Sequence, residues 1–182
     1  MDLLFIILLL LILVICFFIA EYTYLYNKFQ DSIIRINEVE ATIDSNLRNK
    51  YDLLNKSIAL IKGNVEIEDE IFDEIVKLRS RKISNFDLDR KLILAYNEFN
   101  IIRNKYKELD KSDEIKKVAK EVNDIDTKLS VYREYYNDNI TKYNKMVKSF
   151  PTNLIALVNK YEEKLFFDRK DMSDDDYEDF KL

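Results

Sequence analysis

The sequence predicts an all-α protein, in which an N-terminal transmembrane helix continues into the first helix of an elongated antiparallel bundle of about four helices. Three observations lead to this prediction. The chain of 182 residues has one Gly and one Pro, too few for the many turns that a sheet requires. It is 47% hydrophobic and 35% charged, and its hydrophobic residues recur at helical spacing. Finally, residues 3–20 form an unbroken apolar run.

Residues 3–20 have the length of a membrane span. At about 1.5 Å of rise per residue they cover about 27 Å, close to the thickness of the hydrocarbon core of a bilayer. Glu21 ends the run, and three aromatic residues follow at the depth of the membrane interface, namely Tyr22, Tyr24 and Tyr26. We therefore expect residues 1–21 to form an anchor that contacts the lipid bilayer through residues 3–20.

A cleaved signal peptide is the alternative interpretation of this run. Such a peptide has a basic n-region, a shorter apolar stretch and small residues before the cleavage site. Only Met1 and Asp2 precede the run here, and large residues flank every candidate cleavage site. The sequence thus favours an uncleaved anchor.

Cys16 lies within the run and could be taken for the lipid acceptor of a lipoprotein. The bulky Ile15 before it and the missing basic n-region argue against a lipoprotein signal. We interpret Cys16 as a small apolar residue of the membrane helix.

The basic residues near the run indicate its orientation. Nothing basic precedes it except the α-amino group, whereas Lys28 and Arg35 follow closely. Because Lys and Arg near a span favour the cytoplasmic side, we expect the N-terminus outside and the C-terminal domain in the cytoplasm. The chain would then be a single-pass protein of the cell membrane.

A long amphipathic helix is predicted directly after the run, because apolar residues continue at steps of three and four. Gly63 follows the last of them and predicts a left-handed C-cap that ends the helix. The stripe consists of Tyr22, Tyr26, Phe29, Ile33, Ile36, Val39, Ile43, Leu47, Tyr51, Leu54, Ile58 and Ile61.

Two shorter helices follow in the prediction. The first carries the stripe Ile67, Ile71, Ile75 and Leu78 and fades near Ser84. The next is expected to be capped by Asn85 or Asp87, since either side chain can accept from unpaired backbone N–H groups. Its stripe is Leu88, Leu92, Tyr96, Phe99, Ile102, Tyr106 and Leu109.

A fourth, long helix is predicted after a polar break, with Ser112 or Asp113 as its N-cap. Pro151 lacks the N–H group and should stop or bend this helix, and a short helix is expected over residues 152–161. The stripe of the long helix is Ile115, Val118, Val122, Ile125, Leu129, Tyr132, Tyr136, Ile140, Tyr143, Val147 and Phe150.

Each stripe occupies one side of its helix, so the helices must cover one another. The economical arrangement is an up-and-down bundle over residues 22–167, elongated because its first and last long stripes cover about 40 residues each. The periodicity leaves open whether the stripes close within one chain or across two copies in a homo-oligomer.

Residues 168–182 form an acidic tail. It could chelate Ca²⁺ or Mg²⁺ through Asp174, Asp175, Asp176 and Glu178, but an EF-hand requires alternating ligands and a central Gly that are missing here. We interpret the tail as solvated and disordered.

Twelve Tyr and eleven Phe could suggest stacking platforms for bases. Most lie on the stripes, which predicts core packing instead. Asn137 and Asn144 each follow a Tyr, one heptad apart, so their amides are expected on one side of the helix, bonded to a partner helix.

The composition excludes several functional classes. Without His there is no Ser-His-Asp triad, and one Gly is too few for a Walker loop or a dinucleotide-binding fingerprint. A di-metal site could use the helical carboxylates Glu38, Glu40, Glu66, Glu68 and Glu70, but such sites usually add a Glu-x-x-His pair. We therefore predict no catalytic, cofactor-binding or metal residues, and no enzyme. The formal net charge of −5 gives no electrostatic footprint for nucleic acid.

Several blocks of the chain together resemble the bacterial LemA family. They lie between Tyr22 and Asp168 and comprise Tyr26-Asn27, Tyr51-Asp52-Leu53-Leu54, Lys62-Gly63, Tyr135-Tyr136-Asn137-Asp138, Tyr143-Asn144, Phe150-Pro151, Asn153-Leu154-Ile155-Ala156 and Phe166-Phe167-Asp168. The resemblance implies a single-pass bacterial membrane protein with an elongated antiparallel helical domain and no established enzymatic activity.

These observations lead to the hypothesis of a non-enzymatic, membrane-anchored helical scaffold that binds an unidentified protein partner. One alternative is a membrane sensor or signalling module whose long helix couples across the bilayer. Another is an accessory subunit of an envelope enzyme complex.

Overall fold

A computed structural model describes residues 2–65 and 83–167 of the chain, and all regular structure in these ranges is helical. The elements are α1 (Asp2–Asn64), α2 (Asn85–Lys105), a 3₁₀ turn (Leu109–Lys111), α3 (Asp113–Lys148) and α4 (Thr152–Asn159). The predicted all-α class is thereby confirmed. The helix predicted from the stripe Ile67–Leu78 and the acidic tail 168–182 both lie outside the described residues.

Residues 3–20 form the first part of α1, and none of their side chains is buried. Every large apolar side chain in this run is exposed, from Leu3 at 73% to Ile19 at 60%. By length and composition this part of α1 is able to cross a membrane. Beyond it, α1 continues without interruption to Asn64.

The stripe predicted for α1 is confirmed over most of its length. Tyr22 is exposed, Tyr26 and Ile33 are half-buried, and the remaining members are buried. The buried members are Phe29, Ile36, Val39, Ile43, Leu47, Tyr51, Leu54, Ile58 and Ile61.

Gly63 does not form the predicted left-handed C-cap. Its φ is not positive, and α1 continues past it to Asn64. The N–H group of Val65 still donates to the carbonyl of Ile61 at 2.9 Å, which keeps the helical hydrogen-bond pattern up to the end of the segment. A Cβ atom at Gly63 would meet nothing within 4 Å, so neither the backbone nor the packing requires glycine here.

Helix α2 is capped by Ser84 and not by the predicted Asn85 or Asp87. Ser84 has extended backbone angles, and its Oγ accepts from the N–H group of Asp87 at 3.2 Å. The same hydroxyl donates to the Asp87 carboxylate at 2.7 Å. Asp87 therefore assists the cap from the first turn, where a negative charge also favours the helix dipole.

Helix α3 begins as predicted, because the Ser112 Oγ accepts from the N–H group of Ile115 at 3.4 Å. It ends at Lys148, shortly before Pro151, in agreement with the predicted stop. Phe150 was predicted to belong to the stripe, but it is 80% exposed because it follows the end of the helix and no longer shares its buried face.

The fold divides into two compact units, which we call the first unit (Met1–Glu38 with Tyr136–Phe166) and the second unit (Val39–Tyr135 with Phe167–Leu182). In the second unit, Lys50 on α1 pairs with Asp126 on α3. The positive charge of Lys56, farther along α1, acts on Glu114, which lies nearer the start of α3, so α1 and α3 are antiparallel. Helices α2 and α3 are also antiparallel there, because Asp89 contacts Arg133 and Tyr96 contacts Asn123.

The first unit combines the beginning of α1, the end of α3, helix α4 and residues 160–166. The ring of Phe29 on α1 lies 5.9 Å from that of Tyr143 on α3 and 5.0 Å from that of Tyr161 after α4. The helix contacts of the two units agree with the predicted antiparallel helical bundle.

We predict that Gly63→Ala stabilises the protein, because glycine lowers helix stability and its special backbone freedom is not used here. The expected gain in the free energy of unfolding is up to about 1 kcal/mol. Chemical denaturation of the full chain in detergent, followed by circular dichroism, measures it.

Ser84→Ala provides the opposite control, since loss of the cap should cost about 1 kcal/mol. If Gly63→Ala were less stable than the unchanged protein, residue 63 would need the left-handed backbone conformation that the sequence predicted for a C-cap.

Candidate functional site

The second unit contains a cluster of four charged side chains, which we call the buried charge cluster: Lys50, Asp89, Asp126 and Arg133. Lys50 and Asp89 are buried, at 0% and 4% exposure. Lys50 Nζ lies 2.6 Å from Asp126 Oδ1, and Arg133 Nη2 lies 2.5 Å from Asp89 Oδ1. The cluster therefore consists of two ion pairs and carries no net charge.

Each ion pair connects two helices. Lys50 on α1 contacts Asp126 on α3, and Asp89 on α2 contacts Arg133 on α3. Burial raises the pKa of the Asp89 carboxyl above its usual value, while the positive charge of Arg133 and its hydrogen bond oppose this shift. The positive charge of Lys50 also lowers that pKa and the charge of Asp126 raises it, so the two pairs act on each other.

Aromatic rings border both cations of the cluster. Lys50 Nζ lies 5.8 Å from the ring centre of Tyr96, whose hydroxyl donates to Asn123 Oδ1 at 2.8 Å. The guanidinium of Arg133 lies 5.9 Å from the ring of Phe167. These contacts add attraction to the ion pairs and keep water away from the cations.

The first unit contains a second group, which we call the tyrosine cluster: Tyr22, Phe29, Gln30, Tyr143 and Tyr161. Gln30 Nε2 donates to the hydroxyl of Tyr161 at 2.7 Å. Burial raises the pKa of the phenols of Tyr143 and Tyr161, so both stay protonated at neutral pH. Asn159 Nδ2 lies 3.4 Å from the hydroxyl of Tyr22, and this contact connects the end of α4 to α1 just after the apolar run.

Asn144 connects α3 to the chain that follows α4. Its Nδ2 donates to the carbonyl of Lys164, and its Oδ1 accepts from the N–H group of the same residue, both at 2.9 Å. The predicted amide partner on another helix is therefore wrong for Asn144. Lys164 lies outside the helices, so its backbone N–H and C=O groups are available to a side chain, whereas those inside a helix already pair with each other.

The carboxylates considered for metal binding do not meet in the described residues. Glu38 and Glu40 are exposed on α1. In residues 2–65 and 83–167, no group of three or more His, Cys, Asp or Glu side chains could hold a metal ion. Glu66, Glu68 and Glu70 lie outside the described residues, as do the acidic residues of the tail that were considered for Ca²⁺, Asp174, Asp175, Asp176 and Glu178.

The tyrosines predicted for the core are partly confirmed. Among the tyrosines of the stripes, Tyr51, Tyr136 and Tyr143 are buried and Tyr22 is exposed, and the half-buried ones are Tyr26, Tyr96, Tyr106 and Tyr132. Tyr24 and Tyr135 lie off the stripes and are exposed. Cys16 is a free thiol in the exposed apolar run.

The sequence interpretation missed the buried charge cluster, although its spacing was visible. Lys50 lies three residues after Leu47, Asp126 four after Val122 and Arg133 four after Leu129. All three charges therefore lie on the same helix faces as the apolar stripes, each next to a stripe residue (Tyr51, Ile125 and Tyr132). Opposite charges on the core face of different helices are the signal that would have predicted it.

The described fold and these contacts define the class of the protein: an α-helical bundle protein with a long apolar N-terminal helix. The sequence model of the LemA family matches residues 39–178, which is more than half of the chain. The chain therefore belongs to the LemA family, as the sequence blocks indicated. Among curated proteins, no sequence matches it significantly.

We predict that Arg133→Met destabilises the protein by about 3–5 kcal/mol, because it leaves the buried Asp89 carboxylate without a partner. The same change removes an attraction that lowers the pKa of Asp89. The folded state then binds a proton more readily than the unfolded state, so stability falls as the pH rises through that pKa. The loss should be larger at about pH 8 than at about pH 5.

Two further variants make this measurement specific. Arg103→Met breaks the more exposed pair with Asp110 and should cost at most about 1 kcal/mol. The double variant Asp89→Leu, Arg133→Met removes both buried charges and should recover most of the stability. A loss in Arg133→Met that equals the Arg103→Met loss and does not depend on pH would contradict this account of the cluster.

Proposed function

We propose that the chain is a non-enzymatic, single-pass membrane protein whose helical domain binds a protein partner. The observation that carries the proposal is the exposure of the whole apolar run 3–20 on a helix that continues into the core of the fold. An apolar surface of this extent is not stable in water and needs a lipid or protein cover. The length of the run suits a bilayer.

The continuity of α1 supports an anchor over a cleaved signal peptide. A signal peptide has small residues at a cleavage site that is separate from the folded domain. Here α1 passes through Glu21, and its next turns carry the buried Phe29 and Ile36. Cleavage at the end of the run would cut a helix that the core uses a few residues later.

The proposed location is the cell membrane of a bacterium, with the N-terminus outside and the helical domain in the cytoplasm. Lys28 and Arg35 after the run support this orientation. The bacterial origin rests on the resemblance to the family.

The partner would be a protein, because the exposed surface offers apolar contacts and the formal net charge is −5. Leu94 and Ile101 on α2 are 61% and 58% exposed and lie one heptad apart. They therefore share a helix face, on the side away from the buried Leu92 and Phe99. Such a face suits a helix of another protein or of a second copy.

A signalling role is the second candidate, and the unbroken α1 favours it. A helix that runs from Asp2 to Asn64 could pass a rotation or tilt from the span to the residues beyond it. A helix-breaking insertion after Glu21 would abolish such coupling and leave a pure scaffold attached to the membrane. An accessory subunit of an envelope enzyme would instead co-purify with a catalytic chain.

We predict that the full chain stays in the membrane fraction after carbonate extraction, whereas the variant Leu11→Arg, Ile12→Arg does not. Each Arg at the centre of a span costs about 2.5–3.5 kcal/mol. The matched control Leu11→Phe, Ile12→Phe keeps the apolar character and should remain in the membrane. Release of the unmodified chain by carbonate would contradict the anchor.

Cysteine labelling in cells that produce the full chain tests the orientation. With Cys16 changed to Ser, a cysteine at the exposed position Lys111 reports the side of the helical domain. We expect a membrane-impermeant maleimide to label it only after lysis. Labelling in intact cells would reverse the proposed orientation.

We also predict that cross-linking in native membranes attaches a defined protein to the chain, and that Leu94→Glu, Ile101→Glu abolishes this product. The charges would prevent the apolar contact but should not unfold exposed positions. Asn97→Ser, Glu98→Gln, at exposed positions of the same helix, is the control. No reproducible product, or equal products from both variants, would contradict the proposed partner face.

Reproducible turnover by the purified chain would contradict the non-enzymatic role.

A further inference from the structure

Helix α4 has a continuous apolar surface on its outer side. Leu154, Leu157 and Val158 follow the i, i+3, i+4 spacing of one helix face and are 52%, 78% and 69% exposed. Phe150, shortly before the helix, is 80% exposed. The opposite side of α4 holds the buried Ile155 and Ala156. We call Phe150, Leu154, Leu157 and Val158 the α4 apolar face.

The composition of α4 does not suit a helix surface in water. None of its eight residues is charged, whereas a surface helix of a soluble protein has charged and polar residues on its outer side. Here the outer side is apolar and the polar residues stand at the two ends, Thr152, Asn153 and Asn159. Contiguous exposed apolar side chains of this kind mark a surface that another phase or molecule covers.

Contacts within the first unit place the end of α4 beside the end of the apolar run. Asn159 Nδ2 lies 3.4 Å from the hydroxyl of Tyr22. Tyr22 is two residues after Ala20, which is about 3 Å along the helix axis. Just after α4, Tyr161 packs against Phe29 and accepts from Gln30. Helix α4 therefore ends at the level where α1 would leave the hydrocarbon core of a membrane.

The charges around α4 suit an anionic lipid surface. Residues 139–161 contain four Lys and no acidic residue, and the exposed Glu162 and Glu163 follow them. Lys142, Lys145 and Lys160 are exposed, and Lys148 pairs with Glu163 at 3.0 Å. Basic side chains close to a membrane are attracted to anionic headgroups, while apolar side chains enter the boundary between headgroups and acyl chains.

We propose that α4 lies in the membrane–water interface, with its apolar face inserted between the lipid headgroups. This inference rests on the proposed membrane anchor, because the anchor brings Tyr22 and hence the end of α4 to the interface. The bilayer is the occupant that the contacts favour, since it is already the neighbour of the apolar run that ends beside α4. The protein would thus have a second membrane contact in addition to its span.

The test uses the full chain with Cys16→Ser, reconstituted into vesicles of phosphatidylglycerol and phosphatidylethanolamine. A polarity-sensitive fluorophore is attached to a single cysteine at one of three positions: Leu157→Cys on α4, Leu13→Cys in the apolar run, or Asp138→Cys on α3. Asp138 is exposed and lies ten residues before the end of α3, about 15 Å along the helix axis. Quenchers are aqueous iodide and lipids with a nitroxide near the headgroup or near the chain end.

We expect the probe at residue 157 to emit at shorter wavelength than the probe at residue 138 and to be protected from quenching by iodide. The headgroup-level nitroxide should quench it most strongly. The probe at residue 13 should be quenched most by the chain-end nitroxide, and the probe at residue 138 by iodide alone. Leu154→Cys provides a second position on the α4 apolar face and should behave like residue 157.

The other outcomes separate the inference from the anchor. If iodide quenches residue 157 while lipid nitroxides quench residue 13, α4 is in water and the inference fails, but the anchor stands. If residue 157 is shielded from both iodide and lipid nitroxides, a protein surface such as a second copy covers it, and the inference also fails. If lipid nitroxides do not quench residue 13, the anchor itself is wrong and α4 loses its reason to meet a bilayer.

Discussion

The structure depends on one stripe of apolar side chains along α1. Helices of this length gain most of their stability from the burial of one face, not from intrinsic propensity. Burial of each large apolar side chain contributes about 1.5–3 kcal/mol relative to exposure. In the second unit the stripe residues from Val39 to Ile61 are buried. Helices α2 and α3 supply apolar faces of their own, whose buried residues include Leu92, Phe99, Val122 and Leu129. Without the α1 stripe these faces would have no common core.

The buried charge cluster determines how the helices of the second unit align. An apolar stripe alone tolerates a shift of one helical turn, because another apolar residue takes the place of the first. A shift of about 5.4 Å would separate Lys50 from Asp126 and leave the buried Lys50 ammonium without a partner. The cost of unpaired buried charge is larger than the cost of a misplaced Leu or Ile. Arg133 and Asp89 impose the same requirement on α2 and α3. The ion pairs therefore select one register among several that the apolar residues permit.

Helix positions and core faces could be predicted from the sequence, because each depends on a repeat over many residues. The backbone conformation at Gly63, the cap of α2 and the position of Phe150 could not, because each depends on the geometry of one or two residues. A single Gly suggested a C-cap at residue 63, but nothing in the sequence shows the sign of its φ. The choice of Ser84 over Asn85 depends on which residue leaves the helical conformation first. The pairing of Lys50 with Asp126 requires the relative register of two helices, which periodicity does not provide.

The first unit differs from the second in what holds it together and in what it exposes. A helix of eight residues is not stable alone in water, so α4 is held by contacts outside itself. Ile155 and Ala156 are buried on one side, and the Asn144 amide holds the chain after α4 through two hydrogen bonds to Lys164. Part-buried hydrogen bonds of this kind fix a segment in one position, because their loss would leave backbone groups unpaired. The outer side of α4 is thus a preorganised apolar surface. Preorganisation lowers the entropy cost of whatever binds there. Because α4 contacts Tyr22 at the end of the apolar run, the contacts that fix α4 would also hold the α4 apolar face at a lipid interface.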